Sequence, residues 1–534
     1  MKRECGMLLP VFSLPSPYGI GCFSKEAYDF VDKLKEAGQQ YWQILPLGPT
    51  CYGDSPYQSY SAFAGNPFFI DLEQLTGQGL LTKEECDEVD FGDEDLRYVS
   101  YDHQHAARFT LLKKAFVRWK ESLRAMDFSD LDIQKFLDQE LMTETKEYCF
   151  FMALRAEFKN AEWTEWDEDI RLRRPEALHR YSEKLAEEIQ FFEFQQYQFM
   201  HQWQMLKTYA NDNGIRIIGD IPIYVAFDGA DSWAHSELFQ FDEDNKPQAV
   251  AGCPPDAFSA TGQLWGNPLY RWEYHSQTGF DWWLKRMAYS YQIYDMVRID
   301  HFRGFDEYWS IPYGDKTAEH GHWEKGPGLE LFTAMKQRFS NPSIIAEDLG
   351  FLTPSVYKLL DDTGFPGMKV LEFAFDDSHN STYLPHKYDK NCVVYTGTHD
   401  NTTLQAWYAE LEPEIVEFTK EYLGNECTPR GEVHWDFVRL AMSSVANLAV
   451  IPVQDYLGLG AWARVNEPGT VGANWKWRLT KEQLTPELLA KVKKMAQTYG
   501  RCPYVKPDVK KAEEKAEEKA EEKTEEKPEA LSEA

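Results

Sequence analysis

The stretch YDMVRIDHFRG, residues 294–304, opens as an apolar strand and then delivers Arg298, Asp300, His301 and Arg303. In a strand, residues two apart share a face, so Arg298 and Asp300 point one way while Val297 and Ile299 point the other. In a sheet closed into a barrel, that shared face is the interior. A guanidinium there favours the ionised form of the neighbouring carboxylate and lowers its pKa, as a buried nucleophile requires. Taken alone, the same residues also read as a structural Arg–Asp pair.

Working outward, similar apolar runs that end in polar residues recur along the chain. They are QYWQILPLGP (40–49), IRIIGDIPIYV (215–225), PSIIAEDLG (342–350), MKVLEFAFDD (368–377), CVVYTGTHDN (392–401) and LAVIPVQDYLG (448–458). Continuous β-branched runs flanked by Gly or Pro suit strands buried on both faces of a parallel sheet. Helical patterns such as KEAYDFVDKLKEAG (25–38) and PGLELFTAMKQRF (327–339) lie between them. Because polar residues recur at the carboxyl ends of many strands, the alternation predicts an α/β fold, a (β/α)₈ TIM barrel, rather than a doubly wound sheet.

The expected organisation is one catalytic barrel over residues 1–505 with a mostly helical, aromatic-rich insertion at about 71–200. The segment CPPDAFSATGQLWGNPLY (253–270) has no period and reads as an ordered active-site loop. Residues 506–534 form a charged low-complexity tail whose four-residue repeat places Lys near Lys at i+4 and omits the favourable Glu-to-Lys pairs. A solubilising role at most is expected of it.

Composition limits the partners. Against 56 basic residues stand 87 acidic ones, a net charge of −31, so the chain should repel nucleic acid and anionic membranes and favour a neutral substrate. The nine cysteines contain no CxxC pair, which signals neither a disulfide framework nor a zinc ribbon. Pro10, Pro15 and Pro17 interrupt the N-terminal apolar run, leaving no signal-peptide core, and no stretch reaches the roughly 18–20 apolar residues of a membrane helix. A cytoplasmic protein, monomeric or weakly homo-oligomeric, is expected. There is no Walker loop, GxGxxG or GxSxG elbow, so no cofactor is expected. His103 with His105 and His320 with His322 lack a carboxylate at ligand spacing and read as surface loops, and no metal is expected.

Two further strand ends weigh against the merely structural pair. IIAEDLG places Glu347, and YTGTHDN places Asp400, at the rim where barrel enzymes carry their chemistry. Three carboxylates on one rim suit acetal chemistry, in which one ionised group attacks an anomeric carbon and one protonated group serves the departing oxygen. Asp300 beside Arg298 suits attack. Glu347 is expected to stay protonated through like-charge repulsion from Asp300 and Asp400, and Asp400 to hold sugar hydroxyls.

SPYQSYSAFAGNPFFIDL (55–72), GDIPIYV (219–225), the 253–270 loop, RIDHFRG, AEDLG, GMKVLEFAF (367–375), GTHDN and RVNEPG (464–469) occur in the order seen in one family. Over about residues 5–505 the chain resembles the 4-α-glucanotransferases of glycoside hydrolase family 77, also called amylomaltases or disproportionating enzymes. The resemblance implies a barrel with inserted subdomains, no separate C-terminal β-domain, and retaining transfer of α-1,4-glucan segments between maltooligosaccharides. An α-glucan hydrolase on the same barrel is the alternative. It further implies Asp300 as nucleophile, Glu347 as acid/base and Asp400 as transition-state stabiliser. As substrate contacts it implies Arg298 and His399, with Tyr60, Asp256, Trp265, Asn267, Asp377 and Asn466 as weaker carry-overs.

Overall fold

A computed structural model describes residues 2–503 apart from 93, 127–134, 256–258 and 426. Asp256 and the charged tail lie outside the described residues. The strands are β1 (Glu4–Leu8), β2 (Tyr41–Gln43), β3 (Arg216–Pro222), β4 (Ala249–Cys253), β5 (Gln263–Pro268), β6 (Met296–Asp300), β7 (Glu307–Pro312), β8 (His322–Lys325), β9 (Ile344–Ala346), β10 (Gly367–Val370), β11 (Cys392–Tyr395) and β12 (Leu448–Pro452).

Eight of them form one parallel sheet in the order β10-β11-β12-β1-β2-β3-β6-β9. The Ala346 N–H donates to the Pro366 carbonyl at 3.0 Å, bringing β9 against the start of β10 and rounding the sheet into a barrel. Period-two alternation explains both of its surfaces. Leu8, Ile218, Met296, Ile345, Val393 and Leu448 pack together inside. Their neighbours Met7, Ile217, Val297, Ile344, Val394 and Ala449 pack outward against the helices. The helix Lys25–Glu36 shows the matching pattern, burying Ala27, Phe30, Val31 and Leu34 at helical spacing.

Between β2 and β3 run the helices Leu72–Gly77, Lys83–Asp87, Tyr101–Met126, Thr143–Glu157, Pro175–Lys184 and Ala186–Asp212. The last is tied to the chain that follows β2 by two buried glutamine amides. Gln196 bonds both backbone groups of Gly65, accepting from N–H at 2.7 Å and donating to the carbonyl at 2.9 Å. Gln202 treats Asp71 likewise, at 2.7 and 3.3 Å. Gly65 has to lack a side chain, since a Cβ there falls 2.1 Å from the Phe199 ring.

A second, antiparallel sheet, β5-β4-β7-β8, is built from the connections that follow β3 and β6. The sequence predicts an ordered active-site loop over 253–270, whereas β5 occupies its second half. Gly262 and Gly266 at φ +69° and +77°, together with half-exposed positions, hide the alternation of this edge strand. His103 and His105 also differ from expectation, lying on the helix Tyr101–Met126 instead of a loop. No helix among the described residues is long and apolar enough to cross a membrane.

Candidate active site

Two residues beyond the apolar interior layer, β3, β6 and β9 change character. Asp220 follows Ile218, Arg298 follows Met296, and Glu347 follows Ile345, all on the inward face. Asp220 and Arg298 are register partners, and the guanidinium closes the pair, with Nη1 donating to Oδ1 at 2.9 Å and to Oδ2 at 2.8 Å. Both side chains are buried. Nη2 of Arg298 reaches Asp300 Oδ1 at 3.0 Å, and Asp300 remains 31% exposed at the mouth of the barrel. The opening pair of the sequence is therefore a triad in which Asp220 holds the larger share of the guanidinium.

Burial decides the electrostatics of Asp300. Withdrawal from water raises its pKa; Arg298 pulls it down; Glu347, Asp220 and Asp400 push it up, and the net direction is upward. Arg298 does lower it, as expected, but burial outweighs that pull and the neighbouring carboxyls add to the rise, so the net shift runs opposite to expectation. Glu347 is also raised, first by burial, against the pull of Arg298 and two backbone N–H donors. Those donors are His301 N, 2.7 Å from Oε2, and Leu349 N, 2.8 Å from Oε1. His301 reaches Glu347 only because it adopts a left-handed conformation, φ 54°, uncommon for a residue with a Cβ. Burial lowers the His301 pKa to about 3, so its ring is neutral.

Asp400 stands on the turn after β11. Its Oδ1 accepts from Asn466 Nδ2 at 2.6 Å, and its backbone carbonyl accepts from Arg464 Nη2 at 2.9 Å. The buried His399 links it to the rest of the rim. Tyr57 donates its single hydroxyl proton to Asp220 Oδ2 at 2.8 Å, so its oxygen accepts from His399 Nε2–H, also at 2.8 Å, and the same nitrogen lies 3.3 Å from Asp400 Oδ1. The two rings stack at 5.2 Å and 12°. One polar relay, Asp400–His399–Tyr57–Asp220–Arg298–Asp300, therefore joins three strand ends.

Of the other residues singled out by sequence, Trp265 joins the site, its ring meeting His301 edge-on at 4.8 Å. Asn267 is buried and already engaged, donating to the Val225 carbonyl at 2.8 Å and accepting from Gln58 at 3.3 Å. Tyr60 packs beneath the Arg155 guanidinium, 4.8 Å from its ring, and against Phe151 instead of facing the carboxylates. Asp377 is exposed on a turn past β10. Asp220 and Tyr57 escaped the sequence reading. Asp220 carries a usable signal, sharing the inward parity of Ile218; Tyr57 carries none, since its partners lie 163 and 342 residues away.

A family model described as 4-alpha-glucanotransferase matches residues 9–485. The chain belongs to the 4-alpha-glucanotransferase family. The 4-alpha-glucanotransferase of Streptococcus pneumoniae is 48% identical over 96% of this chain and 100% of its own length. That of Clostridium butyricum is 45% identical over 92% and 99%. Among solved structures, an amylomaltase from Streptococcus agalactiae in complex with acarbose superposes with a TM-score of 0.90 at 42% identity, covering 94% of this chain and all 100% of the other. An amylomaltase from Corynebacterium glutamicum, 17% identical with a TM-score of 0.70 over 93% of this chain and 75% of its own, shares the fold. This chain is accordingly a glycosyltransferase enzyme on a TIM barrel.

Proposed function

We propose that the enzyme moves α-1,4-glucan segments from a donor maltooligosaccharide to the 4-hydroxyl of an acceptor glucan or glucose, by retaining double displacement through a covalent glucosyl-enzyme. The observation that carries this reading is strand register. Arg298 pairs with Ile345 and Ile299 with Ala346, which brings Asp300 and Glu347 side by side just past the ends of adjacent strands. Side chains so placed act on each other directly, Glu347 being the first of the carboxyls that raise the Asp300 pKa, and retaining glycosidases use two closely set carboxyls.

Retaining displacement needs one proton shared by the two carboxyls, and repulsion between neighbouring carboxylates favours that state. The guanidinium on Asp300 draws the negative charge there and leaves the proton on Glu347. Asp300 attacks the anomeric carbon, the bond to the departing chain breaks, and Glu347 gives that oxygen its proton. Esterification removes the charge on Asp300, so Glu347, now ionised, takes the proton of the acceptor 4-hydroxyl as it displaces Asp300 from the sugar. Asp400, held by Asn466 and His399, offers its free oxygen to ring hydroxyls, and Arg298 helps fix the sugar. Trp265 supplies an apolar face for a pyranose. Tyr60, Asp256, Asn267 and Asp377 are assigned to more distant sugar contacts on resemblance alone. The nine cysteines, scattered and without a CxxC pair, suit a reducing compartment and a cytoplasmic enzyme.

Exchange of one α-1,4 bond for another is nearly thermoneutral, so no energy source is needed. Incubation with maltotriose is expected to yield glucose together with longer maltooligosaccharides at a constant number of reducing ends. A steady rise in reducing ends with no product longer than the substrate overturns transfer in favour of hydrolysis.

A further inference from the structure

The turn that carries His399 and Asp400 rests on two carboxyls that the reaction does not use. Asp455, from the helix Val453–Leu457, spans the turn: its Oδ2 accepts from Thr396 Oγ1 at 2.5 Å and its Oδ1 from the Leu404 N–H at 2.9 Å. Glu372 lies beneath the same turn and is buried. Its backbone N–H donates to the Thr396 carbonyl at 3.1 Å. Its side chain presses on Gly397 so closely that a Cβ there falls 2.7 Å from Oε1. Asn401 flanks the same glycine, its Cβ 3.3 Å from that Cβ position, and its Oδ1 accepts from both the N–H and the hydroxyl of Thr398, each at 2.9 Å. Thr398 Oγ1 in turn accepts from the Asp400 N–H at 3.3 Å. Packing at Gly397 thus links Glu372 to Asn401, whose hydrogen bonds run through Thr398 to the backbone of Asp400.

We propose that Glu372 is a positioning residue for Asp400, acting in its neutral form: the buried carboxyl sets Asn401 and the Gly397 turn, and so aims Asp400 into the cleft. The surroundings demand neutrality. Burial raises this carboxyl well above the usual range, Asp455 raises it further, and Arg464 only partly offsets them. Oε1 has no hydrogen-bond partner among the described residues, a position a charged oxygen tolerates poorly and half of a neutral acid tolerates better. The inference rests on the assignment of Asp400 as a transition-state stabiliser.

The test compares Glu372→Gln, Glu372→Ala, Asn401→Ala and Asp400→Asn, with kcat, KM for maltotriose and melting temperature measured for each. Glu372→Gln, neutral and equal in shape, is expected to retain kcat within about threefold, whereas Glu372→Ala and Asn401→Ala lose about tenfold or more with KM nearly unchanged, the mark of an interaction made in the transition state. If Glu372→Ala fails to fold, Asn401→Ala, altered on a half-exposed turn, still decides. Loss in Glu372→Gln equal to that in Glu372→Ala overturns the proposal, as does a fall in melting temperature with kcat intact in Glu372→Ala and Asn401→Ala. An Asp400→Asn variant with normal kcat instead removes the underlying assignment of Asp400.

Discussion

The two sides of the barrel interior make different use of the same pleat. On β3, β6 and β9 the inward face goes from Ile218, Met296 and Ile345 to Asp220, Arg298 and Glu347 in a single two-residue step. On β10, β11 and β12 it stays apolar through Val370, Tyr395 and Val450. The apolar side is ordinary core. The charged side forces a guanidinium and several carboxyls into a space that hydrates them poorly, where each survives only through its partners. The lesson is that packing and chemistry are separable along a strand, even though one alternation specifies both.

Substitutions on the two layers should therefore fail in different ways. The largest effect is expected at Asp300. Asp300→Asn removes the covalent path and should lower kcat by more than ~10³-fold, about 4 kcal/mol of barrier, with the melting temperature nearly unchanged. Near-normal turnover would take Asp300 out of the nucleophile role. In Glu347→Gln with an activated donor, a glucosyl group should accumulate on Asp300, visible as a mass shift on the peptide that contains it; labelling elsewhere breaks the assignment. Next comes Asp220→Ala, which leaves the buried Arg298 with Asp300 alone. It should cost about 3 kcal/mol of stability in denaturant unfolding, a penalty Asp300→Asn does not show. One interior step lower, Ile345→Val is expected to cost about 1 kcal/mol while kcat stays at the wild-type level. A large kcat loss there would dissolve the distinction between layers.

The smallest effect tests a site remote from the barrel interior. His235 lies 2.6 Å from Glu144 of the helix Thr143–Glu157. Burial disfavours its charge, but Glu144 and Glu237 prevail and raise the ring to about 10. A pKa raised in the folded state gives stability that is whole below the unfolded value, about 6.5, and is lost as pH rises towards the folded one. The melting temperature should therefore fall between pH 6.5 and 10 by more in the wild type than in His235→Gln. Equal falls would show that the pair contributes nothing.

Much of this was legible in the sequence, and the gaps have physical causes. The barrel strands after β1 stand out because strands covered on both faces are continuously apolar. β1 escaped because its run, ECGML, is short, contains a glycine, and leads straight into Leu9 and Pro10, so it read only as an interrupted leader. The second sheet escaped because edge strands interrupted by glycine have weak alternation. At the site, Asp300, Glu347 and Asp400 declare themselves as acids at the ends of apolar strands, and Arg298 by sharing the face of Asp300. Which carboxylate holds the guanidinium depends on pairing across β3 and β6, and no local pattern encodes that; the pKa of Asp300 shifts upward because burial, which the strand pattern does not measure, outweighs Arg298. Tyr60 was carried over by resemblance, yet Tyr57, from the same motif, is the tyrosine in the relay.

Tyr57 also bears on the order in which the molecule is assembled. Its hydroxyl joins His399 to Asp220, but its own segment is fastened through Gly65 and Asp71 to glutamines 131 residues further on, and the bond to His399 spans 342 residues. Contacts of such sequence separation close large loops, whose entropy has to be overcome before the contact is rewarded. The relay is therefore expected to be completed late in folding, after the helix Ala186–Asp212 has docked and β11 has joined the sheet. Secondary structure should accordingly recover ahead of catalytic activity when the unfolded chain is returned to native conditions.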